Sequence, residues 1–142
     1  MAEFQTSPGS RDILHPDSAR WRTFTARFSA AAEAAGFHQI IPPMFEDLGV
    51  FKRLGEVTDV VTKEMYDFTD KGGRHIALRP EHTASVCRAF AQHRPTPPWK
   101  VWYSGPNFRY ERPQAGRYRQ FDQVGIEVLG VDDSQLDVEV IS

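Results

Sequence analysis

The sequence predicts a mixed α+β domain, on three observations. Residues 17–35 repeat apolar side chains at helical spacing. Residues 65–78 carry a hairpin signature, two β-prone runs around Asp70–Lys71–Gly72–Gly73. Residues 100–129 read as two long strands joined by Arg112–Pro113–Gln114–Ala115–Gly116.

Residues 1–16 form a lead-in arm broken by Pro8, Gly9 and Pro16. A helix is expected from Asp17 or Ser18, either of which can cap it. Trp21, Phe24, Phe28, Ala31, Ala32 and Ala35 give it one apolar, core-facing side. Gly36 suits the left-handed position after the helix. Phe37 to Ile41 reads as a short strand stopped by Pro42–Pro43. A short helix over Asp47 to Leu54 follows, then a loop over Gly55 to Lys63. After the hairpin, Glu81 to His93 reads as a helix and Arg94 to Pro98 as a connector. Beyond the two long strands, Asp133 or Ser134 can cap a last helix. Its pattern is still running at Ser142, so a truncated product or partial gene is expected.

The length of 142 residues fits one domain, and 40% hydrophobic residues supply a core. A net charge of −2 does not mark the whole molecule as a nucleic-acid binder, so any such contact must be local. The lone Cys87 forbids an intrachain disulfide and fits a cytoplasmic compartment. On the apolar side of the helix expected over Glu81 to His93 it reads as a small buried hydrophobe. The N-terminus has no apolar core of a secretory signal, and no run approaches the roughly 20 apolar residues of a membrane span. The five histidines lack metal-ligand spacing.

The two long strands carry the chemistry. Side chains alternate faces along a strand. In the second, Arg117, Arg119, Phe121, Gln123, Gly125 and Glu127 share a face; in the first, Tyr103, Asn107, Arg109 and Glu111 do. The opposite face holds Trp102, Phe108, Tyr110, Val124, Ile126 and Val128, and can pack on a core. Burying so many charges dry costs several kcal/mol per ion, so the polar face must line a wet cleft or meet a charged ligand. Arg109, Arg112, Arg117 and Arg119 suit a polyanion, because guanidinium forks match phosphate oxygens. Phe121 offers a stacking surface, and Glu127 with Gln123 a place for an ammonium group. A solvated edge hairpin with ordinary ion pairs is the competing reading.

The run from Gly105 to Phe121, continued by Gly125–Ile126–Glu127, resembles motif 2 of the histidyl-tRNA synthetase family, a class II aminoacyl-tRNA synthetase family. Leu78–Arg79–Pro80–Glu81–His82–Thr83–Ala84 resembles its histidine-contacting segment. Gly36 to Glu46 resembles motif 1, where Pro43 would sit at a dimer interface. Gly55–Glu56, Thr58 to Val61 and Lys63 to Tyr66 resemble it too. The likeness runs from about Gly9 to Ile141.

The resemblance implies an antiparallel sheet flanked by helices, a class II synthetase-like catalytic core. It implies activation of L-histidine by ATP with Mg2+, then transfer to tRNA(His), in a homodimer. Arg109 corresponds to the catalytic arginine holding the carboxylate and α-phosphate. Glu81, Thr83, Arg109, Gln123 and Glu127 match histidine-binding positions. Arg109, Glu111, Arg117 and Phe121 match ATP-binding positions, with Phe121 stacked on adenine, Glu111 beside it and Arg117 on the γ-phosphate. His82 stands where the family usually has glycine, and reads as a surface or capping side chain. The third class II motif and the anticodon-binding domain are absent from residues 1–142, which read as a partial catalytic domain, expected not to aminoacylate tRNA alone. The alternative is a non-catalytic histidine-binding paralogue such as the ATP phosphoribosyltransferase regulatory subunit. The intact arginines argue against it, since a sensor need not keep phosphate contacts.

Overall fold

A computed structural model describes residues 4–53 and 63–141; the expected loop and the family-like segments between 54 and 62 lie outside the described residues. Helix α1 (Asp17–Ala34) opens the fold. Neither Asp17 nor Ser18 caps it. Pro16 is the N-cap residue and no side chain caps the first turn. The Ser18 amide instead donates to Leu14 O at 2.9 Å, and Asp17 pairs with Arg20. The helix ends as Gly36 predicts. With φ at +81°, its amide donates to Glu33 O at 3.0 Å and that of Phe37 to Ala32 O at 3.0 Å. This pairing satisfies the last carbonyls and turns the chain.

The strand after Gly36 is shorter than expected, β1 (His38–Gln39), and pairs parallel to a later strand. Two elements follow. Strand β2 (Phe45–Asp47) has no counterpart in the sequence reading. Helix α2 (Leu48–Lys52) is capped by Asp47, whose Oδ1 accepts from Gly49 N at 2.8 Å. The hairpin forms as read: β3 (Asp67–Thr69) and β4 (His75–Leu78) are antiparallel, and Asp70 Oδ1 takes the Gly72 and Arg74 amides at the turn. Helix α3 (Thr83–His93), strands β5 (Trp99–Phe108) and β6 (Gln120–Leu129), and helix α4 (Ser134–Ile141) complete the order. Asp133 caps α4 by accepting from Gln135 N at 2.9 Å.

These strands make two three-stranded sheets, β1-β5-β6 and β2-β4-β3. The architecture is the expected α+β with antiparallel sheets, except that β1 adds a parallel edge. Register decides what the larger sheet shows on each face. Val101 opposes Glu127, Tyr103 opposes Gly125, Gly105 opposes Gln123 and Asn107 opposes Phe121, all on one face. The other face packs Trp102, Ile126 and Val128 on Phe28, Ala32 and Phe37. Helix α3 covers part of the first face through Val86, Val101 and Tyr103, while α2 joins Leu48 and Phe51 to Ala77 and Ala84. The aromatic stripe of α1 is therefore only half core. Phe28 and Ala32 pack, but Phe24 is 50% exposed and stacks on Trp21 beside the contact.

Candidate active site

The polar face of β5 and β6 gathers the residues that the sequence singled out. At its deep end, Glu127 Oε1 accepts from Thr83 Oγ1 at 2.7 Å and from Tyr103 Oη at 3.4 Å. Its other oxygen makes no hydrogen bond among the described residues. Glu81 stands beside it, at the start of α3. Its two carboxylate oxygens accept from the Thr83 and Ala84 amides at 2.7 and 2.8 Å. Those donors have no partner within the helix, and a carboxylate there also meets the positive end of the helix dipole. Glu81 thus has a plain structural task, and Thr83 is fixed at both its amide and its hydroxyl.

Midway along β6, Gln123 Oε1 accepts from Asn107 Nδ2 at 2.7 Å. Asn107 is fully buried. It and Tyr103 belong to the site although the residue types alone did not nominate them; their shared face with Gln123 was the available signal.

The outer end is basic. Arg109 Nε donates to Pro80 O at 2.9 Å, and the guanidinium lies over the Phe121 ring at 5.1 Å. Its terminal nitrogens make no hydrogen bond among the described residues, and Nη1 lies 4.0 Å from Glu111. Arg109 and Glu127 therefore share one sheet face. Arg117 is ion-paired to Glu111, which holds the guanidinium pKa above its usual value. Arg119 donates to Glu111 O at 3.0 Å and lies 3.9 Å over Tyr110. Arg112 is exposed and stands apart from this cluster.

The ladder ends at Phe108 and Gln120, earlier than alternation suggests. Residues 109–119 are an ordered loop, in which Gly116 (φ +78°) turns the chain and Gln114 pairs with Arg117. Pro113 cannot donate to a ladder, and the Glu111 carboxylate draws the arginines together instead. The arm at Gly9 closes the loop's base, its carbonyl accepting from the Arg119 and Gln120 amides at 2.7 and 3.2 Å.

Three expectations need correction or separation. His82 neither caps nor faces solvent. It is 1% exposed, its ring stacks parallel on Tyr103 at 4.2 Å, and neither ring nitrogen has a partner. Burial and the neighbouring Arg79 push its pKa down to about 4, so the imidazole is neutral. Cys87 is half-buried and lines a cleft between α2 and α3. Pro43 is exposed beside buried Pro42, and its carbonyl accepts from Arg79 at 3.4 Å. Tyr103, buried against Glu127 and Glu81, has its phenol pushed up to about 12. Among the described residues no three His, Cys, Asp or Glu side chains form a metal site, and no helix is long and apolar enough to cross a membrane.

Comparison with known proteins fits this geometry. The sequence profile of the family described as histidyl-tRNA synthetase matches residues 9–142. The chain is 53% identical to a histidine--tRNA ligase of Corynebacterium jeikeium, over 94% of this chain and 31% of that protein. It is 52% identical to one of Mycobacterium tuberculosis, over 100% of this chain and 34% of that protein. The fold matches apo S. aureus histidyl-tRNA synthetase with a TM-score of 0.79 at 36% identity, over 97% of this chain and 32% of that one. A Bacillus halodurans structure titled as an ATP phosphoribosyltransferase regulatory subunit/histidyl-tRNA synthetase gives a TM-score of 0.84 over 98% of this chain and 36% of that one. At 22% identity it speaks for the fold alone. The chain spans about a third of the length of the curated relatives it matches. With the profile covering nearly every residue that builds the cleft, the chain belongs to the histidyl-tRNA synthetase family.

Proposed function

We propose that this chain supplies the ATP- and histidine-binding part of a histidine--tRNA ligase, an enzyme that forms histidyl-adenylate and passes the histidyl group to tRNA(His). One observation carries the reading: a single sheet face is acidic at one end, through Glu127 and Glu81, and basic at the other, where Arg109 lies over Phe121. An amino acid and ATP laid along this face meet charges of the right sign. Glu127, with one unengaged oxygen, takes the ammonium or another cationic or N–H group of histidine. Thr83 and Glu81 shape that end, and Gln123 adds an amide between the two ends.

In the first step, a carboxylate oxygen of histidine attacks the α-phosphorus of ATP. The bond from that phosphorus to the bridging oxygen breaks, and pyrophosphate leaves with the electron pair. Negative charge grows on the α-phosphoryl oxygens, where the terminal nitrogens of Arg109 are available to stabilise it. Phe121 offers its ring to adenine, with Glu111 nearby, and Arg117 meets the γ-phosphate once it shares its ion pair with Glu111. The 3′-terminal ribose hydroxyl of tRNA(His) then displaces AMP. Mg2+ accompanies the phosphates. The described residues gather no ligand set for it.

Assembly as a homodimer is part of the same reading. Pro43 lies among Ile41, Met44 and Phe45, which are 81%, 51% and 55% exposed and form an apolar edge suited to a second copy. A cytoplasmic location fits the single cysteine. The test is ATP–pyrophosphate exchange by a full-length histidine--tRNA ligase in which residues 9–141 are those of this chain. Exchange that depends on L-histidine, and not on other amino acids, is expected. Exchange absent while the protein is folded refutes the reading.

A further inference from the structure

One buried side chain with no hydrogen bond, His82, lies directly behind the acidic end of the cleft. His82 precedes α3 at its N-cap position, yet its side chain makes no capping bond, because Glu81 already takes the Thr83 and Ala84 amides. Freed from capping, the imidazole turns inward and is 1% exposed. Burying a ring with neither nitrogen hydrogen-bonded is unfavourable, so something else must favour this placement. The contact on offer is flat stacking: His82 and Tyr103 lie 4.2 Å apart with their planes within 3°.

The surroundings leave the pair little freedom. Near the ring, Arg79 donates to Pro106 O at 2.8 Å and Pro42 O at 2.9 Å, so its guanidinium is fixed in place. Bare Gly105 makes room here: a Cβ at that position would come 2.7 Å from Arg79 Nη2 and 3.6 Å from His82 Nε2. Tyr103 in turn lies across Gly125, where a Cβ would meet its Cε2 at 2.7 Å. The phenol is thus slotted between an imidazole and a glycine floor, and its hydroxyl reaches Glu127 Oε1 at 3.4 Å.

We propose that His82 is a positioning residue for the amino-acid pocket: wedged between Arg79 and Tyr103, its ring holds the Tyr103 phenol against Glu127. The proposal rests on the reading in which Glu127 receives part of histidine. The ring's neutrality is part of the fit. Burial, with Arg79 beside it, keeps it uncharged, so it sets no cation against an ammonium group held by Glu127 and Glu81. A flat neutral ring is what the slot requires. Phenylalanine meets that requirement, whereas leucine fills space without a stacking face and glycine leaves the slot empty.

Three variants of this chain, His82→Phe, His82→Leu and His82→Gly, test the proposal by two readouts. One is the titration of Tyr103, resolved from the other three tyrosines by NMR of ring-labelled tyrosine. The other is L-histidine affinity by calorimetry, with the same substitutions placed in the full-length chimera. Phenylalanine should preserve the high Tyr103 titration and keep affinity within about threefold. Leucine and glycine should bring the titration toward an ordinary tyrosine and weaken L-histidine about tenfold or more, as expected when a hydrogen-bonding group loses its fixed position. Should the glycine variant fail to fold, the leucine variant decides. Unchanged Tyr103 titration in the leucine variant overturns the proposal, as does a phenylalanine variant that behaves like leucine. If the full-length chimera with His82 intact binds no L-histidine, the functional reading falls, and Tyr103 still reports whether His82 positions it.

Discussion

Arg109→Ala removes one guanidinium that has two separable tasks. In the proposed reaction, its terminal nitrogens meet charge that grows only in the transition state. Losing one such donor typically costs about 2.7–4 kcal/mol, or roughly 100- to 1000-fold in rate. In folding, Nε holds Pro80 O at 2.9 Å and the plane covers Phe121. The sequence alone suggests a stability cost of about 1 kcal/mol at most, as for a side chain in a wet cleft. The Pro80 contact raises that figure. A hydrogen bond from a charged donor is worth about 1.5–3 kcal/mol, and the 29% exposure of the side chain discounts it to about 1–2 kcal/mol. For a chain of this size that is a fall in Tm of about 3–8 °C. The assay is histidine-dependent ATP–pyrophosphate exchange in the full-length chimera, run well below the melting transition, with Tm measured on the same preparation. Arg109→Lys should recover stability in part but little of the rate, because a point charge cannot reproduce the fork. Arg22→Ala, at an exposed position of α1, should leave both unchanged. Wild-type exchange in a folded Arg109→Ala protein would refute the placement of this arginine at the reacting centre.

Two further outcomes follow from local geometry. Gly9 has φ at +81°, and a Cβ there would sit 2.6 Å from Arg119 Cγ, so Gly9→Ala should detach the arm from the loop at a cost of about 1–3 kcal/mol; limited proteolysis should then cut before residue 16 much faster than in wild type. His82 is neutral when folded, with a pKa near 4 against 6.5 unfolded, so its contribution is present above about pH 6.5 and is lost as pH falls toward 4. That linkage amounts to about 3 kcal/mol, and His82→Phe should flatten this acid limb in denaturant titrations at pH 7 and 4.5.

Reading the sequence worked where a local rule has a tertiary consequence. Period-2 alternation placed Tyr103, Asn107, Gln123 and Glu127 on one face, and the register of β5 against β6 realises it residue by residue. Gly36 and Asp70 made the turns their chemistry requires. The misses share a physical cause, competition from partners distant in sequence. Alternation extended past Phe108 fails because Glu111, Arg117 and Arg119 satisfy one another in a loop. β2 is only three residues long and exists because β4 offers it a free edge. His82 looked like a helix cap by position, but Glu81 took the bonds first, and no local pattern signals that a cap residue will stack on a tyrosine twenty-one positions later.

The arrangement also bears on how a chain with net charge −2 would serve the polyanionic nucleotide of the proposed reaction. What matters is the order of charge along one strand. From Glu127 to Phe121 the six-residue step covers about 20 Å. Over that distance the cleft changes from a carboxylate with one unengaged oxygen to a guanidinium with unengaged terminal nitrogens. Each end is fixed by contacts that leave its functional atoms available. Thr83 and Tyr103 occupy one oxygen of Glu127, and Pro80 takes only the Nε of Arg109. Pro80, Glu81 and Thr83 lie within four consecutive residues, so one short segment braces both ends. A shift of that segment moves the cation site and the anion site together.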